Sequence, residues 1–75
     1  MTQKQYKQVA NRYALAFVRD EDEFIRQYDA DKDNYTAVDS IIILNLCEVY
    51  RMFLQGLISE AEGKKKTDEI LRGEI

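Results

Sequence analysis

The chain has 75 residues, a formal net charge of −3, 45% hydrophobic and 33% charged residues, one Cys, and no Pro, His or Trp. A chain this short forms one domain and buries only about 60% of the surface it exposes when unfolded, so it has little material for an enclosed substrate pocket. The missing His excludes Ser-His and Cys-His catalytic pairs, and the single Cys excludes a disulfide framework and a Cys-based zinc site.

The first predicted element is a helix over residues 3–18, capped by Thr2. Tyr6, Val9, Ala10, Tyr13, Ala16 and Phe17 recur at spacings that place them in one apolar stripe. Lys4, Lys7, Gln8, Asn11, Arg12 and Arg19 fall on the other side. Lys4, Lys7, Asn11, Arg12 and Arg19 make that side the candidate nucleic-acid-binding face, because Lys and Arg bind phosphate and Asn reads adenine. The acidic isoelectric point, about 4.8, weighs against this reading.

Asp20-Glu21-Asp22-Glu23 then interrupts the apolar period. Asp20 and Glu23 have capping-box spacing, and four acids suit the positive end of a helix dipole. A short second helix over 21–28 follows, with Phe24, Ile25 and Tyr28 facing inward. An unbroken helix over 3–29 is the alternative, and periodicity does not decide between them.

Residues 29–35 read as the main loop. Asp29, Asp31 and Asp33 resemble the opening of an EF-hand calcium loop, whose first, third and fifth positions supply carboxylates. The resemblance covers five of twelve positions. Asn34 stands where that family has Gly, Thr36 where it has an aliphatic residue, and Ser40 where it has a bidentate Glu. The expectation is a turn-forming acidic loop with no metal and no cofactor.

Thr36 and Asp39 form a second capping box, opening a long central helix over 37–62. Gly63 is the expected left-handed stop residue, followed by Lys64, Lys65 and Lys66 at the negative dipole end. A short C-terminal helix within 67–75 adds Ile70, Leu71 and Ile75 to the core. Thirteen of the eighteen residues 41–58 are apolar, and only a narrow strip through Asn45, Glu48, Arg51, Gln55 and, just beyond, Ser59 is polar. A helix so apolar needs cover on more than one side. The predicted answer is an all-α bundle, one domain over 1–75, dimerised through Ile42, Leu46, Val49, Phe53 and Leu57. A different protein would cover the helix equally well. Cys47, inside this run, is expected to be a buried structural thiol.

No stretch resembles a signal peptide, and the central run is broken by polar residues before the ~20 apolar residues of a membrane span. A cytoplasmic protein without membrane contact is therefore expected. Charge is segregated: residues 1–19 carry no acid, whereas 20–39 carry eight acids against Arg26 and Lys32. Such separation steers association with charged partners. The candidate partner-binding surface is Asp20, Glu21, Asp22, Glu23, Asp29, Asp31, Asp33 and Tyr35. In composition the chain resembles small inhibitors encoded by phages and mobile elements, including anti-CRISPR proteins. That likeness implies a non-enzymatic inhibitor or adaptor of a larger, basic, nucleic-acid-handling protein. The alternative function is a nucleic-acid-binding regulator using the basic face of the first helix.

Overall fold

The computed structural model describes residues 1–73 and places four α-helices in them, without a strand. They are α1 (Gln3–Arg19), α2 (Glu21–Asp31), α3 (Ala37–Leu54) and α4 (Glu60–Leu71), with a 3-10 turn at Lys32–Asn34. The expected contribution of Ile75 lies outside the described residues.

α1 starts in a reciprocal capping box: Gln5 N–H donates to the Thr2 hydroxyl, and the Gln5 side chain accepts from the Thr2 N–H. It ends because Asp20 is extended, at φ −165°. The same Asp20 caps α2, accepting from the Asp22 N–H at 3.0 Å. The chain between 3 and 31 is therefore two helices. Glu23 does not complete the expected box; its carboxylate accepts from Arg19 instead, one helical turn back.

α2 continues to Asp31, so most of the expected loop is helical. The turn propensity of its Asp residues yields to tertiary contact, because Tyr28 and Asp31 both engage Tyr13 of α1. The tight 3-10 turn brings Tyr35 back onto the same tyrosine, at 2.7 Å between hydroxyls. Thr36 and Asp39 then open α3 with the predicted box.

The long central helix is in fact two. α3 stops at Leu54, and Gly56 adopts φ +73°. Leu57 N–H reaches Met52 C=O and Gly56 N–H reaches Phe53 C=O, the paired bonds of a Schellman motif. Gly63, the expected stop, is instead buried inside α4. Ser59 caps α4 by accepting from the Glu62 N–H, and Lys64–Lys66 lie mid-helix rather than beyond a helix end.

Two adjoining clusters form the core. Tyr13 and Ala14 of α1 pack with Ile43 and Cys47 of α3, bordered by Phe24, Tyr28 and Tyr35. Ala10 packs with Leu46 and Val49 of α3 and Ile70 of α4, bordered by Ile42, Ile58 and Leu71. α1 is thus the shared element, with α2 folded onto it, α3 packed along it, and α4 against α3. Ala10, Ala14 and Ala16 are fully buried; their small side chains let the helix backbones approach closely.

Candidate functional site

Tyr13 is fully buried, yet its hydroxyl has partners on both sides: Asp31 at 2.7 Å and Tyr35 at 2.7 Å. Arg12 completes the arrangement, donating to Asp31 at 2.8 Å and to Gln27 at 3.2 Å. The Arg12 and Tyr13 hydrogen bonds hold the Asp31 carboxyl below its ordinary range. Burial, with the bonds to Tyr35 and Asp31, pushes the Tyr13 phenol far upward. A second carboxylate is recruited likewise: Asp39 caps α3 and also accepts from the Tyr6 hydroxyl at 2.5 Å, which lowers its pKa. These contacts are structural. Asp31 and Arg12 are thereby paired with each other, with side chains 31% and 51% exposed.

The remaining acids divide in the same way. Asp20 caps α2 and lies 4.0 Å from Arg26, Glu23 pairs with Arg19 at 3.1 Å, and Asp29 pairs with Lys32 at 3.4 Å. Glu21, Asp22 and Asp33 are exposed and make no ion pair with the described residues. Tyr35 is half-buried against the Tyr13 cluster instead of standing free. Among the described residues no three metal-ligating side chains gather at one place.

Ile25, expected to face inward, is 45% exposed. α2 docks through Phe24 and Tyr28, which meet Tyr13 edge-on with ring centroids 5.8 and 6.2 Å away. At 100° per residue this turns Ile25 away from that contact, with Glu21, Asp22 and Asp29 about one turn away. The exposed side of α2 thus carries Ile25 and these acids together with Arg26 and, at its C-cap, Lys32. α1 has a counterpart: Leu15 and Val18 are 46% and 41% exposed and line a surface groove with Gln8, Asn11, Arg12 and Arg19. Lys4, Lys7 and Asn11 are also exposed, whereas Arg12 and Arg19 are held by Asp31 and Glu23.

The residues expected at a dimer interface are split. Leu46 and Val49 lie in the chain's own core, and Ile42 packs half-buried against it, because α1 and α4 cover that side of α3. Phe53 and Leu57 remain exposed. Further exposed apolar residues are Val38 and Ile41 at the start of α3 and Leu54 at its end. Cys47 is buried as expected, and burial pushes its thiol up to about 11, which keeps it protonated and unreactive at neutral pH. An open cleft of about 330 Å³ is lined by Lys7, Tyr50, Phe53, Glu60, Gly63, Lys64, Thr67 and Asp68. Among the described residues no helix is long and apolar enough to cross a membrane.

Two of the readings missed at the level of sequence had signals in it. Ser59-Glu60-Ala61-Glu62 is an S-x-x-E capping pattern, and Gly56 precedes it by three residues. Ile25 falls among acids at helical spacing, which marks a solvent face. The Tyr13–Asp31 and Tyr6–Asp39 bonds had no local signal, since they span 18 and 33 residues. Comparison of the chain with protein-family models, curated proteins and solved structures finds no match.

Proposed function

We propose that this chain is a small, non-catalytic cytoplasmic interaction protein that inhibits or adapts a larger basic partner, of the kind phages and mobile elements encode. The contact surface is the outer face of α2. One observation carries the reading: Ile25 is 45% exposed on α2, with Glu21, Asp22 and Asp29 one helical turn away. Protein interfaces concentrate their energy in a central apolar anchor and draw on-rate and specificity from charge around it. A protein that handles nucleic acid is a suitable partner, because its phosphate-binding surface is basic.

The test is binding to the partner isolated from host extract. Ile25→Asp should weaken it by at least about tenfold, the ~1.4 kcal/mol typical of losing an interface anchor. Replacing Glu21 by Gln and Asp22, Asp29 and Asp33 by Asn should slow association, with the difference shrinking at high salt. Asp31 is left intact, because its loss would disturb the core. Indifference to both variants would reject the surface. The second reading, nucleic-acid binding through α1, is favoured by the exposure of Lys4, Lys7 and Asn11. It predicts the reverse: Lys4→Gln with Lys7→Gln weakens binding and flattens its salt dependence.

A further inference from the structure

We infer that α2 and the 3-10 turn form a hinged flap, residues 21–34, which opens from α1 as a unit while α1, α3 and α4 stay packed. Among the described helices α2 alone has no buried residue. It packs chiefly on α1 and on the turn that follows it, whereas α3 packs on both α1 and α4, and Ile70 of α4 belongs to the core. The seam beneath α2 is narrow. Its apolar part is Phe24 and Tyr28 against Tyr13, with Phe24 also edge-on to Phe17 at 5.7 Å. Its polar part is a clasp: Asp31 accepts from Arg12 and Tyr13, Gln27 accepts from Arg12, and Glu23 accepts from Arg19. The cations of the clasp stand largely in solvent, with the Arg12 and Arg19 side chains 51% and 66% exposed. The clasp groups regain water when the seam parts, so each bond adds only modest net stability.

The backbone supplies a hinge at either end. Asp20, at φ −165° and ψ 113°, separates α1 from α2, and Tyr35, at φ −109° and ψ 142°, separates the turn from α3. The chain between them is helical. Rotation at these two residues moves the flap without unwinding a helix. The neighbouring caps also survive opening. Asp20 caps α2 from the hinge itself, Thr36 and Asp39 cap α3, and Asp39 pins the start of α3 to α1 through Tyr6. Opening uncovers an aromatic surface, Phe24 and Tyr28 on the flap and Tyr13 on α1, that the closed form holds together. This motion does not depend on the outer face of α2 meeting a partner.

Native-state hydrogen exchange of the full chain in low urea tests this. The amides of residues 25–31 should share one opening free energy, with a urea dependence smaller than that of residues 43–49 but not zero. They should exchange at least about tenfold faster than residues 43–49 after correction for intrinsic rates. Ile70→Val is a mild change in the cluster away from the flap. It should speed exchange at residues 43–49 by about threefold or more and leave residues 25–31 unchanged, because Ile70 stays packed when only the flap opens. Asp31→Asn should speed both sets by the same factor, roughly tenfold, because it weakens the closed state from which both openings start. Equal rates in the two sets, rising together in Ile70→Val, overturn the inference and make the chain one cooperative unit. Graded exchange along residues 25–31 without urea dependence overturns it as well, since that is fraying of a helix end. Exchange at residues 25–31 that ignores Asp31→Asn also overturns it, because the clasp then does not hold the flap.

Discussion

The two halves of the core are built by different chemistry. Around Leu46, Val49 and Ile70 the buried side chains are aliphatic, with Tyr6 and Tyr50 packed at the border. Around Tyr13 it is aromatic and carries buried polar atoms, with the hydroxyl held between Asp31 and Tyr35. The first kind is held by area alone and tolerates any residue of similar shape. The second has a geometric requirement as well, since a buried hydroxyl without a partner costs about 1–3 kcal/mol. The polar half therefore dictates where α2 and the 3-10 turn must go.

The sharpest way to break the aliphatic half is Leu46→Ala. Leu46 is fully buried between α1 and α4, and the substitution should cost about 2–5 kcal/mol. In a domain of this size that is a large fraction of the total, visible as a collapse of the thermal or urea midpoint. A loss below about 1 kcal/mol would show that the α3–α4 packing is looser than described. Tyr13→Phe probes the other half without changing ring volume. It leaves Asp31 and the Tyr35 hydroxyl short of one partner each and should cost about 1–2 kcal/mol in urea unfolding. No loss would mean that water replaces the hydroxyl freely.

Gly63→Ala tests whether the α4 side has room to improve. Gly63 is inside a helix, and an added Cβ would meet Ile58 and Phe53 at 3.8 and 3.9 Å, ordinary contact distances. The variant should gain about 0.5–1 kcal/mol from helix propensity; a loss would place a tighter neighbour there. The smallest effect is expected from acid. Asp31 has a lower pKa folded than unfolded, so its stabilisation is complete above about pH 4 and disappears as pH falls through the lower folded value. The melting temperature should drop over that window, and less steeply in Asp31→Asn. The difference is modest because the Asp31 side chain is 31% exposed and its pair with Arg12 is screened by solvent. Equal slopes would show that other carboxylates account for the acid sensitivity.

Local signals carried much of the fold. Thr2, Asp20 and Thr36 each announce a helix start, and each caps one. The predicted apolar stripe of α1 is buried or half-buried throughout, and Leu15 and Val18, outside it, are exposed. The run from 41 to 58 misled, because its hydrophobicity conceals a turn. Leu54, Gly56 and Leu57 look continuous with the helix until Gly56 is allowed a positive φ, and Ser59 then restarts the chain as α4. The charged faces were legible as blocks but not as surfaces. Asp31 and Arg12 fall in opposite blocks and neutralise each other, whereas Asp22 and Asp33 stay open to solvent.

The sequence by itself determined an all-helical chain, its capped starts, a buried Cys47 and the separation of basic from acidic residues. Those properties depend on residues within about four positions of one another, where helix periodicity and capping act. Only the tertiary structure decided which acids are structural, and that Leu46 and Val49 are covered from within. These outcomes depend on contacts between α1 and elements tens of residues away. Whether a carboxylate is a cap, a core partner or a free charge follows from what packs beside it, and nothing in its neighbouring sequence specifies that.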